Sequence, residues 1–203
     1  MTLFTPTGPD GLVALITERC LTVYGIVVAA IDAPDSAEPL PLAHAVCKSL
    51  RMSGRPCSVV SLRDYVRPAS LRYERGRTDE IGYRTGWFDY EALRREVVGS
   101  ARTHRRWLPR LWDADEDRSA RCAREPAAEG QVLLVAGPML LGRGLDFDLT
   151  VQLQVSENAL RRWTPEELQW TVGTLVRHAA ETSDVPDILV RYNHPTRPAV
   201  SLR

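Results

Sequence analysis

Asp64 stands in the segment Leu62-Arg63-Asp64-Tyr65-Val66-Arg67-Pro68, a carboxylate among cations, and two roles suit it. It can accept a hydrogen bond or a proton in a ligand pocket, or it can pair with Arg63 or Arg67. The residue types leave both roles open. A second carboxylate, Asp89, closes Gly82-Tyr83-Arg84-Thr85-Gly86-Trp87-Phe88-Asp89. Helix capping is its simpler role, because Leu93 and Val97 share a face of the segment that follows. His44, His104, His178 and His194 are scattered and assemble neither a Ser-His-Asp order nor a Cys-His pair. Cys20, Cys47, Cys57 and Cys122 include no C-x-x-C pair and no histidine at ligand spacing, so they read as free thiols rather than a metal site.

The elements that must position these groups alternate along the chain. Residues 11–23 predict an amphipathic helix behind Asp10 as its cap, and the apolar run Tyr24 to Ile31 predicts a central strand. A loop at 32–41, a helix at 42–52 closed by Gly54 and a strand at 56–62 complete a βαβ unit. Further strands are expected at 131–137, at 148–155 (whose alternation places it near an edge) and at 187–192. Ser156 and Thr164-Pro165-Glu166-Glu167 mark helix starts, the second helix running to about Glu181. This predicts one α/β domain over 1–203: a doubly wound, mainly parallel five-stranded sheet with helices on both faces. Its irregular segments, 63–86 and 99–130, read as lids or insertions. Ligands of such sheets sit beyond the carboxyl ends of the strands, where the loop at 32–41 lies.

Composition narrows the partners. The chain has 203 residues, 44% of them hydrophobic, and 26 basic residues balance 26 acidic ones. No global field draws it to nucleic acid or an anionic membrane. The basic-aromatic stretch Thr103 to Arg110 is short and reads as a surface loop or lid. No segment reaches the roughly 18 apolar residues of a membrane span, and the first residues lack a signal-peptide pattern. A reduced, cytoplasmic setting is expected.

The order of these features resembles the uridine kinase and phosphoribulokinase branch of P-loop proteins, particularly its small actinobacterial uridine kinase-like members, over about residues 11–200. The resemblance is carried by Ile31-Asp32, by the segments 62–68 and 82–90, by Val135-Ala136-Gly137-Pro138-Met139-Leu140-Leu141, and by Val190-Arg191-Tyr192-Asn193-His194-Pro195. In that family the first strand opens into a loop similar to D-G-x-x-G-S/A-G-K-T, whose amides and lysine hold phosphate. Here the register gives Asp32-Ala33-Pro34-Asp35-Ser36-Ala37-Glu38-Pro39-Leu40. Ala33, Ser36 and Glu38 stand where glycines belong, Pro39 replaces the lysine, and Leu40 replaces the magnesium-binding hydroxyl. The chain's single lysine, Lys48, lies farther on, and no arginine occurs between Arg19 and Arg51. Arg63 takes the place of an acidic candidate base, and Ala136 that of a magnesium-organising carboxylate.

The resemblance thus implies a kinase fold without the means of phosphate transfer from ATP, and no cofactor. It also implies a surviving acceptor-side pocket for a nucleoside-like or aromatic ligand, lined by Asp64, Tyr65, Arg67, Tyr83, Arg84, Trp87 and Asp89. Arg161, Arg162 and Arg177 fall where the family carries lid arginines, although exposed helical arginines are usually only solvated. Three functions follow: a silenced kinase-like protein binding a small molecule or a protein; a lyase, cyclase or isomerase using Asp64; or a residual nucleoside kinase gripping phosphate with the lid arginines. Related kinases often assemble, so the resemblance is compatible with a homo-oligomer.

Overall fold

The computed structural model describes residues 3–203. Numbered along the chain, its strands are β1 (Thr5–Pro6), β2 (Val27–Asp32), β3 (Cys57–Ser61), β4 (Arg106–Trp107), β5 (Trp112–Asp113), β6 (Arg118–Ser119), β7 (Glu125–Pro126), β8 (Val132–Gly137), β9 (Leu149–Gln154), β10 (Ile188–Arg191) and β11 (Ala199–Leu202). The α-helices are α1 (Pro9–Thr22), α2 (Pro39–Met52), α3 (Ala69–Arg72), α4 (Glu80–Gly86), α5 (Tyr90–Leu93), α6 (Ser100–Thr103), α7 (Glu157–Trp163) and α8 (Val172–Glu181). A π-helical stretch, Arg94–Gly99, joins α5 to α6.

Seven strands form the main sheet in the order β1-β11-β10-β9-β2-β8-β3. The five from β10 to β3 are parallel, and β11 and β1 add an antiparallel edge beyond β10. Every residue of β2 and β8 is buried, because successive side chains enter opposite layers and both layers are covered. On one face Val27, Ala29 and Ile31 pack with Leu12 and Ile16 of α1 and Val46 and Leu50 of α2. On the other, Val28 and Ala30 pack with Tyr65, Leu93, Val97 and Trp107. The predicted parallel five-stranded core is therefore present. The added edge escaped notice because β1 is a dipeptide and β11 only four residues long.

Both edges are blunted. Outermost β1 ends in Pro6, which has no N–H to donate. At the opposite edge the Arg51 guanidinium donates to the Cys57 carbonyl of β3, from Nε at 2.8 Å and Nη2 at 2.6 Å.

Several boundaries differ from the sequence-based expectation. α1 starts at Pro9, so Asp10 lies in its first turn and Gly8 is the cap. Tyr24 is 97% exposed, and Gly25 at φ 75° turns the chain before β2. β9 lies between β2 and β10 and is no edge strand; its alternation has another cause, given below. The helix expected from Thr164 is a 3-10 segment, Glu166–Thr171, followed by α8, and Thr164 does not cap it. The segment 63–86 contains α3 and α4, and 99–130 contains two short ribbons, β4 with β7 and β5 with β6.

Candidate functional site

β2 delivers Asp32 to the carboxyl end of the sheet, and the chain then folds back on itself. Ala33 N–H donates to Gly137 O at 3.1 Å, Ala37 N–H to Pro34 O at 2.9 Å and Glu38 N–H to Asp35 O at 3.0 Å. Pro34, Pro39 and Pro41 have no N–H. A loop that holds phosphate presents free amides and a lysine. Here the amides of Ala33, Ala37 and Glu38 are already bonded, the prolines lack one, no lysine is present, and Asp35 and Glu38 are exposed acidic residues. Glu38 sits in the left-handed region at φ 54°, the turn from which α2 starts at Pro39.

Behind the loop, Asp32 is 6% exposed and accepts from Leu141 N–H at 3.2 Å. Burial pushes its carboxyl up to about 6; the amides of Leu141, Leu140 and Met139 and the Arg143 guanidinium oppose that rise without cancelling it. The loop after β8 aims those amides through Gly137 at φ 156° and Met139 at φ 55°. A Cβ at Gly137 would lie 2.4 Å from Leu62 Cβ.

His178, on the buried face of α8, places Nε2 2.9 Å from Leu141 O. A carbonyl only accepts, so Nε2 carries the hydrogen, and Nδ1 of the neutral ring is a bare acceptor. Nδ1 is buried without a partner. Burial lowers the pKa of this imidazole and favours that neutral form. Asp32, Met139, Gln152, Gln154, Leu175 and His178 line a cavity of ≈ 80 Å³. Gln152 and Gln154 are alternate residues of β9, so the strand's polar face is a cavity wall rather than a sheet edge.

Across Leu175 opens a larger pocket of ≈ 350 Å³, walled by Asp35, Glu38, Tyr83, Trp87 and Trp163. Tyr83 and Trp87 meet edge to face at 5.0 Å, and Trp170 packs against them at 5.4 and 5.5 Å. The Trp87 indole N–H donates to Arg72 O at 3.1 Å, fixing the ring. The Thr164 hydroxyl donates to Ser36 Oγ at 3.3 Å, tying the far wall to the loop. Protein surrounds the Asp35 carboxyl on most sides although solvent still reaches it. That desolvation raises its pKa, and the Arg63 guanidinium partly offsets the rise.

The residues expected to line an acceptor pocket separate into two groups. Tyr83 and Trp87 line the larger pocket, together with the loop positions Ser36 and Glu38. Asp64 is held by Arg110, with Nε 2.9 Å from Oδ1, and Arg110 also reaches Asp113 at 3.3 Å. Burial raises the Asp64 carboxyl, while Arg110 pulls it down. Tyr65 is buried and donates its hydroxyl to Leu108 O at 2.5 Å. Arg67 is tied to Trp87 O through its backbone N–H at 2.8 Å. Arg84 pairs with Glu181 at 2.5 Å, Arg177 with Glu80, and Arg161 with Glu157 at 2.7 Å. Arg162 is exposed. Asp89 accepts from Ala92 N–H at 2.9 Å and caps α5. The sequence marked Asp35 only as negative charge beside the phosphate loop, not as a pocket wall, and it did not single out Trp163 or the Asp32–His178 cavity. One signal was available for His178: Thr174 and His178, four apart, form a polar pair on the buried side of α8.

No protein-family model matches the chain, and none of the curated proteins does. Solved structures do. A possible uridine kinase from Bacillus stearothermophilus superposes with TM-score 0.65 at 17% identity, covering 86% of this chain and 97% of that one. A proposed fructose transport system kinase from Silicibacter sp. TM1040 superposes with TM-score 0.68 at 18% identity, covering 87% and 97%. The five parallel strands, ordered 2-3-1-4-5 when counted among themselves, and these superpositions give this chain the fold of the P-loop kinases.

Proposed function

We propose that this chain is a kinase-like scaffold that no longer transfers phosphate from ATP and binds a small ligand at the carboxyl end of its sheet. One observation carries the reading: the loop 33–40 has no lysine, its Ala33, Ala37 and Glu38 amides are already bonded within the protein, and Asp35 and Glu38 add two carboxylates. A hydrogen bond to a charged group contributes about 1.5–3 kcal/mol, and micromolar affinity corresponds to about 8 kcal/mol. Losing three or four such donors removes most of that affinity before charge repulsion is counted. Ala136, at the end of β8, supplies no carboxylate for magnesium.

The other two functions draw less from the geometry. Acid–base chemistry on Asp64 would require breaking its pair with Arg110. A phosphate grip by arginines alone would require freeing Arg161 from Glu157 and Arg177 from Glu80. The test is calorimetric titration with Mg-ATP, together with labelled ATP and a panel of nucleosides. The expected result is no micromolar binding and no labelled product; binding with turnover would overturn the reading.

A further inference from the structure

We infer that the larger pocket takes a small organic cation, an ammonium or substituted ammonium carried on an aromatic or apolar body. The inference rests on the reading above, that this site no longer serves ATP, and names the class of ligand that replaces it. Asp35 and Glu38 flank the pocket, Tyr83, Trp87 and Trp163 wall it, and neither lysine nor arginine is among its lining residues. Aromatic faces carry the negative end of the ring quadrupole, so rings and carboxylates together favour positive charge. Arg63, the cation that acts on Asp35 through space, has its own carboxylate partner, Asp115, at 2.5 Å.

The adjoining cavity supports the same polarity independently. It shares Leu175 with the pocket and presents the Asp32 carboxyl and the His178 ring. His178 Nδ1 is buried, carries no hydrogen when the ring is neutral, and has no partner. A buried acceptor of this kind is satisfied by an N–H or O–H and not by an anion. The loop that gives a kinase its anion site therefore borders two cavities that both call for donors or positive charge.

Three isosteric probes decide the matter by calorimetry near pH 7.5: 2-phenylethylammonium, 2-phenylethanol and phenylacetate. The ammonium is expected to bind at least about tenfold more tightly than the alcohol, and phenylacetate least tightly. Asp35→Asn and Glu38→Gln, each keeping side-chain shape, should remove most of the ratio between ammonium and alcohol affinities. Equal affinity for ammonium and alcohol, tighter binding of phenylacetate, or no binding of the ammonium at about 1 mM would overturn the inference. Mg-ATP titrated into the same sample separates the two failures. Turnover of ATP defeats the silenced-kinase reading, whereas loss of cation preference without ATP turnover defeats only the ligand class.

Discussion

Asp32→Asn removes one charge from the most deeply placed carboxylate at the site, and its effect can be worked out from the surroundings. Burial raises the folded-state value to about 6 from the ordinary 3.8. The folded protein thus holds this proton more tightly than the unfolded chain. The group's contribution to stability is full below about pH 4, falls as pH rises through 6, and stays reduced above that. A gap of about two pH units, at about 1.4 kcal/mol each, sets the reduction near 3 kcal/mol. Asparagine keeps the shape and can still accept from Leu141 N–H. Its amide nitrogen cannot accept, a loss of about 1 kcal/mol. At pH 8 the variant should therefore exceed the wild type by about 2 kcal/mol, which is a melting point higher by about 4–8 °C for a chain of this size. At pH 4 the advantage should vanish or turn into a deficit of about 1 kcal/mol. Urea unfolding followed by tryptophan fluorescence at both pH values gives the comparison. A difference between the two proteins that does not change with pH would refute the reasoning, as would an asparagine variant less stable at pH 8.

Two further outcomes follow from backbone and burial. Gly137→Ala places a methyl group 2.4 Å from Leu62 Cβ at a φ of 156°, so urea melts should show a loss of at least about 2 kcal/mol. Among the thiols, Cys122 is exposed while Cys20, Cys47 and Cys57 are buried, and burial pushes Cys20 up to about 12. A colourimetric thiol reagent should accordingly modify Cys122 alone in the native protein and the other three only after denaturation; rapid reaction of a second thiol would contradict the burial.

The central strands were legible because β2 and β8 are continuous apolar runs, and burial on both faces writes itself directly into composition. The expectation of an altered phosphate loop came from the opposite kind of pattern. Phosphate-loop chemistry depends on a few residues in fixed order, so Ala33, Ser36, Glu38, Pro39 and Leu40 can each be compared with it. The partners of the charged residues were hidden. Asp64 has Arg63 and Arg67 beside it in sequence but pairs with Arg110, whose neighbour Leu111 donates its N–H to Asp64 O at 3.0 Å, and nothing local encodes that return. β9 shows how a local pattern can mislead. Alternation reports a half-polar environment, and a cavity lined by Gln152 and Gln154 meets that description as well as solvent does. The larger pocket combines α4, the loop before α2 and the segment around Trp163. Such a site exists only after the sheet has brought three distant stretches together.

The two ends of the main sheet bear on how this protein can meet its own copies. An open strand edge is a template on which another chain can add hydrogen bonds, through ordered dimerisation or through aggregation. Here one terminal strand offers two residues, one of them Pro6, and at the other Arg51 already occupies the outward carbonyl of Cys57. Joining another strand at β3 requires the guanidinium to leave, and joining at β1 gains little. Neither edge of the sheet therefore offers a long open row of backbone groups to a second strand.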